Sequence, residues 1–158
     1  MEWRKYRLEM VAEPNVTDTY ECQLTTREKV ASFLRSVIRL DKSDRERGVV
    51  MAIASDGSLI GYQEVSVGDL SSAVIHPREI LKFAVLSNAA AIIIAHNHPS
   101  GSLKISAEDK EATIRLTECC DLIGIKLVDH LIVSDRGYTS VMDKEGEETC
   151  WDMQNLER

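Results

Sequence analysis

The chain has 158 residues, 44% of them hydrophobic and 28% charged, which is the length of one domain with enough apolar side chains for an ordinary core; a disordered or fibrous chain is excluded. Nineteen Lys and Arg against twenty-six Asp and Glu give a net charge of −7, the wrong sign for a protein that binds duplexes by displacing counterions from phosphates. The excess is uneven, with ten basic and nine acidic groups in residues 1–47 and nine and seventeen in 48–158.

In chain order, Tyr6, Leu8 and Met10 alternate with Lys5, Arg7 and Glu9, which predicts a half-buried strand over 3–11, followed by a polar linker from Glu13 to Gln23. Thr25 with Glu28 reads as a capping box heading REKVASFLRSVIRL, whose Val30, Phe33, Leu34, Val37 and Ile38 share one helical face. The charged loop DKSDRERG leads into VVMAIAS, an Asp56-Gly57 turn and LIGYQEVSV, the pattern of a β-hairpin. Pro77 suits the first turn of a helix that begins after His76 and ends at Asn88. AAAIIIA, 89–95, is short and branched like a fully buried strand, and it delivers the chain directly into HNHPSG.

Ser106 then opens a helix to Asp121, with Ile114 and Leu116 among its apolar positions and Gly124 behind it. IKLVDHLIVS is a further strand, turned by Arg136-Gly137 towards YTSV, and from Asp143 an acidic tail shows no periodicity. This order of strands and helices predicts an α/β fold, a mixed β-sheet flanked by helices. The organisation expected is a strand and linker over 1–24, one domain over 25–142 and a tail over 143–158.

Cys22, Cys119, Cys120 and Cys150 lack CxxC spacing and read as mostly buried thiols. The adjacent pair Cys119-Cys120 cannot face one side of a helix, so no second metal site is expected there. The N-terminus has no apolar signal run, and no stretch approaches the roughly 18 apolar residues of a membrane span. A cytoplasmic protein without a membrane partner is the expectation.

The segment with chemistry in it is His96-Asn97-His98-Pro99-Ser100-Gly101, continuing to Ser106 and Asp109. Residues two apart on a strand point the same way, so His96 and His98 can share one ion. Asp109 falls in the first turn of the next helix, where the dipole favours a carboxylate. Two neutral imidazoles and one carboxylate make a zinc site with an open fourth position. Taken singly, a strand-end histidine is more often a hydrogen-bonded structural residue, and Ser106 with Asp109 is a capping box that needs no metal. The conjunction of HxHP, a glycine turn and S-x-x-D favours metal binding.

H-x-H, ten residues, then D, with Ser three before the Asp, resembles the JAMM signature of the JAB/MPN metallopeptidases. VIHPREILKFAVLSNAAAIIIAHNHPSGSLKISAEDKEATIRL and IKLVDHLIVSDRGYTS are similar to the bacterial RadC-like branch, over about residues 26–142. The resemblance implies a JAB/MPN, cytidine deaminase-like fold, Zn²⁺ on His96, His98 and Asp109, and Ser106 orienting the water or stabilising the oxyanion. It also implies a general-base Glu before the second strand, Glu46 in RERGVVMAI, with Glu64 in YQEVSVG as the other candidate. His130, in VDHLIV, belongs to the family pattern and would lie behind the ligands; on periodicity alone it reads equally as a satisfied structural histidine.

The implied activity is zinc-dependent hydrolysis of an amide or isopeptide bond in a peptide or protein substrate. The alternative is a non-catalytic MPN-fold binding module associated with DNA repair, although the acidic composition argues against direct nucleic-acid contact. A zinc deaminase would need P-C-x-x-C and H-x-E, and a thermolysin-type enzyme HExxH; neither is present. Pairing of the 3–11 strand across a homo-oligomer is a further expectation.

Overall fold

The structure, a computed structural model, describes residues 9–13, 24–67 and 76–143. Three α-helices, α1 (Arg27–Ser36), α2 (Pro77–Leu86) and α3 (Ala107–Ile123), flank a sheet of β1 (Arg47–Ile53), β2 (Leu59–Val67), β3 (Ala91–Asn97), β4 (Lys126–Ser134) and β5 (Gly137–Ser140). The strand order is β2-β1-β3-β4-β5. Only β3 and β4 run parallel, joined by the α3 crossover; the other neighbours are antiparallel. This is the mixed sheet flanked by helices that the element order implies.

Each face of the sheet has its own apolar core. Val49, Met51, Ile53, Ile93, Ala95, Leu131 and Val133 pack with Val30, Phe33 and Leu34 of α1. On the other face Val50, Ala52, Ile92, Ile94 and Leu127 meet Ile80 and Phe83 of α2 and Leu116 and Cys120 of α3. β3 is buried along its whole length, so Ile92, Ile93 and Ile94 each contribute about 1.5–3 kcal/mol of apolar burial.

Helix ends follow the local signals with two corrections: α1 stops at Ser36 instead of running through Leu40, which opens a short 3₁₀ turn, and its cap shifts by one residue. The α1 cap is Thr26, whose hydroxyl accepts from Lys29 N–H at 3.3 Å, whereas Thr25 accepts from the Lys29 ammonium instead of forming a box with Glu28. Thr26 has the extended backbone that a cap requires. His76 caps α2 through Nδ1, Asn88 takes a left-handed φ just past the helix end, and Gly124 closes α3 with φ +72°. Ile114 is 60% exposed, because the buried stripe of α3 runs through Thr113, Leu116 and Cys120.

Residues 9–13 are exposed and carry no strand; the rest of the expected 3–11 strand, Cys22, Cys150 and the tail beyond Asp143 lie outside the described residues. Among the described residues no helix is long and apolar enough to cross a membrane.

One irregularity positions the site. Along β4 the register on β3 jumps, Ile92 facing Leu127 and Ile93 facing Asp129, so Val128 is an extra residue. Such a bulge reverses the alternation beyond it. Leu127 packs on the α3 side; past the bulge Leu131 and Val133 pack on the α1 side, with Asp129 in phase with them and His130 turned towards α3.

Candidate metal centre

β3 is hydrophobic until its last turn and ends at the rim of the sheet, where His96 is 1% exposed. The turn His98–Gly101 closes with Gly101 N–H donating to the His98 carbonyl at 2.8 Å; Gly101 holds φ +69°, which a side chain would strain. The chain then reaches α3, where Ser106 is the cap. Its hydroxyl accepts from Asp109 N–H at 3.0 Å, and the Asp109 carboxylate accepts from Ser106 N–H at 2.8 Å and from its hydroxyl at 2.6 Å, both on Oδ2. The capping box and the carboxylate of the predicted ligand set are thus one device: the cap fixes Asp109 while Oδ1 stays turned towards His96.

Among the described residues His96, His98 and Asp109 form a cluster whose ligand atoms all lie within 4.8 Å of one another. His96 Nε2 is 3.1 Å from His98 Nε2 and 3.1 Å from Asp109 Oδ1, and His98 Nε2 is 3.7 Å from Asp109 Oδ2. A tetrahedral centre with bonds of about 2.0–2.1 Å sets its ligands about 3.3 Å apart, so the two 3.1 Å separations from His96 Nε2 suit a zinc ion. The donor chemistry fits as well. His98 Nδ1 lies 2.9 Å from the Ser102 carbonyl, which can only accept, so the ring proton is on Nδ1 and Nε2 offers a lone pair to the centre.

Behind His96 lies His130, its Nε2 2.9 Å from His96 Nδ1, and its own Nδ1 is 2.6 Å from Thr113 Oγ1. Burial, reinforced by the neighbouring His96, depresses the His130 pKa to about 3, so this ring is neutral at physiological pH. Thr113 carries no signal in a motif search, but it stands one helical turn after Asp109, on the same face.

The two candidate bases are placed differently. Gly48 of β1 stands opposite His96, and Asn97 clamps the chain that precedes it: its Oδ1 accepts from Arg47 N–H at 2.8 Å and its Nδ2 donates to the Arg45 carbonyl at 3.0 Å. Glu46, half-buried, lies just ahead of β1 between Arg45 and Arg47, the two residues whose main chain Asn97 holds. Glu64 stands opposite Val49, whose side chain belongs to the α1 face, and its carboxylate is paired with the Arg47 guanidinium. Asn97 is the residue that a reading of HNH by its histidines passes over; strand alternation already turns it away from them.

A polar cavity of about 200 Å³ adjoins His98, with Asp41, Ser43, Asn97, Ser134 and Asp135 around it. Cys120 is buried, which pushes its thiol up to about 12, and neither it nor half-buried Cys119 is in the cluster.

A mixed-sheet α/β domain that gathers two strand-end histidines and a helix-capping aspartate at one rim has the architecture of a JAB/MPN domain. The chain belongs to the RadC-like JAB domain family, whose model matches residues 24–147. It is similar to a UPF0758 protein of Staphylococcus haemolyticus, 38% identical over 133 residues that cover 84% of this chain and 56% of that protein. A UPF0758 protein of Rubrobacter xylanophilus is 43% identical over 105 residues, 66% of this chain and 46% of that one. A UPF0758 protein of Actinobacillus pleuropneumoniae is 35% identical over 143 residues, 87% and 65% respectively. The chain thus spans about half to two thirds of the length of these relatives.

Proposed function

We propose that the chain is a zinc-dependent metallopeptidase or isopeptidase of RadC-like JAMM type that hydrolyses an amide bond in a peptide or protein. The observation that carries this reading is the convergence of His96, His98 and Asp109, whose ligand atoms all lie within 4.8 Å of one another, with His96 Nε2 3.1 Å from both His98 Nε2 and Asp109 Oδ1. Zinc bound there supplies Lewis acidity and lowers the pKa of water towards about 7. Glu46 takes the proton from the attacking water and returns it to the leaving amine nitrogen, work worth roughly 10²- to 10⁴-fold. The Asn97 clamp keeps the Glu46 backbone against the end of β3 during that exchange. Ser106 orients the ligand carboxylate through its hydroxyl; its expected service to the oxyanion requires that proton to leave Asp109.

The acidic balance of the chain favours a peptide or protein partner over a duplex, so a DNA-repair role would be reached through a partner protein.

The test is hydrolysis of a quenched-fluorescent peptide library by the zinc-loaded protein and its Glu46→Gln variant, with zinc measured by elemental analysis and His96→Ala as control. Turnover is expected to fall by roughly 10²- to 10⁴-fold in Glu46→Gln while zinc stays near one equivalent. Unchanged turnover removes Glu46 from the mechanism. Zinc well below one equivalent, insensitive to His96→Ala, overturns the metal reading and leaves a binding module.

A further inference from the structure

We infer that Thr113 and His130 are positioning residues whose hydrogen bonds fix the ring proton of His96 on Nδ1, so that its Nε2 reaches the centre as a lone pair. The inference rests on the metal-site reading above and adds two residues to it.

The chain of bonds has one direction, set at its far end. The Asp109 main-chain carbonyl can only accept, and Thr113 Oγ1 lies 2.6 Å from it, so the single hydroxyl proton goes there. Thr113 Oγ1 therefore meets His130 Nδ1, 2.6 Å away, as an acceptor, and that nitrogen carries a proton. His130 is fully buried with no carboxylate bonded to its ring, so it holds one proton only. Its Nε2 is then an acceptor and receives the proton on His96 Nδ1, 2.9 Å away. With its ring proton held on Nδ1, a neutral His96 is left with an unprotonated Nε2.

The opposite arrangement fails at the same end. Were a neutral His96 to carry its proton on Nε2 and donate it to Asp109, His130 would have to donate from its own Nε2, and its bare Nδ1 would face a threonine oxygen whose proton is already committed, two lone pairs at 2.6 Å. With His98 fixed independently by Ser102, two imidazole lone pairs and a carboxylate oxygen converge with no hydrogen between them. Such a set of acceptors repels itself until a cation enters it.

The β4 bulge makes the relay physically attainable. Without Val128 as the extra residue, His130 would keep the phase opposite to Leu127 and point towards α1. Because α3 carries both Asp109 and Thr113 one turn apart, the ligand and the anchor of the relay move together.

The experiment uses nitrogen-15 histidine labelling of the metal-free full chain to read each ring's tautomer, then zinc affinity by competition with a chromophoric chelator. Wild type is expected to show Nδ1–H at His96, His98 and His130. Thr113→Val, nearly isosteric, is expected to shift His130 and His96 towards Nε2–H and to weaken zinc binding by about 10- to 100-fold. Thr113→Ser, which restores the hydroxyl, is expected to return both to wild type. Nε2–H at His96 in the wild type, or a Thr113→Val protein with unchanged tautomers and affinity, overturns the relay. His130→Leu, which offers no acceptor, gives a second route should Thr113→Val fail to fold: loss of the Nδ1–H signal at His96 supports the relay, and its retention with wild-type zinc affinity overturns it. A wild type with the expected tautomers that takes up no zinc sinks the metal reading while the relay stands.

Discussion

Asp129 and His130 are consecutive, both fully buried, and they face opposite sides of the same sheet. Asp129 is saturated: its carboxylate accepts from Arg27 Nε at 2.6 Å, from the Ser140 hydroxyl at 2.6 Å and from the His130 main-chain N–H at 2.7 Å, and Arg27 reaches on to Asp143. With the tautomers inferred above, the polar cluster on the His130 side ends instead in acceptors that face one another. A buried polar group whose bonds are all made within the chain locks α1, β4 and β5 together and needs nothing from outside. One whose bonds leave a surplus of lone pairs needs a cation. The first arrangement is architecture and the second a candidate site, and the difference lies in how many donors each is given.

The most disruptive way to break the comparison is on the saturated side. Asp129→Ala leaves Arg27 without its buried partner and is expected to cost about 3–5 kcal/mol in urea unfolding, with zinc uptake per folded molecule retained. Equal loss of zinc would mean that the two faces are not separable.

A pH series sharpens the other side. His130 has a pKa of about 3 in the folded protein against about 6.5 when unfolded, so below 6.5 the unfolded chain takes up a proton that the folded one refuses. The metal-free protein should therefore be most stable, as far as this group is concerned, above pH 6.5 and lose stability steadily as pH falls towards 3. Urea midpoints at pH 7.5, 6 and 5 check this, and His130→Gln should flatten the slope. A slope unchanged by that substitution would assign the loss to other groups. The smallest effect is expected outside both networks: Ile114→Ser, on the exposed side of α3, should stay within about 0.5 kcal/mol of wild type in the same measurement.

Much of the fold and the centre was legible because it is local. A run of branched apolar residues makes β3 a buried strand, and the period of two sends His96 and His98 the same way. A cap signal three residues long places Asp109 at the head of α3. The helix expected over 27–40 was equally plain, but it stops at Ser36, and its cap was misplaced by one residue, since Thr25 and Thr26 both offer hydroxyls and only backbone geometry chooses between them.

What tertiary structure alone decided depends on which strands pair and in what register. Glu46 and Glu64 are both acidic residues near a strand end; Asn97 at the end of β3 holds the main chain on either side of the first, and the pairing of β1 with β2 ties the second to Arg47. Asn97, an unremarked middle residue of HNH, clamps a loop fifty residues away in sequence. His130 and Thr113 join the centre only because one extra residue in β4 turns the histidine over and the crossover helix lies against that face. The residue types and their spacing determined which side chains can hold an ion. The register of the sheet, a product of long-range pairing that no local pattern encodes, decided which residues stand around them.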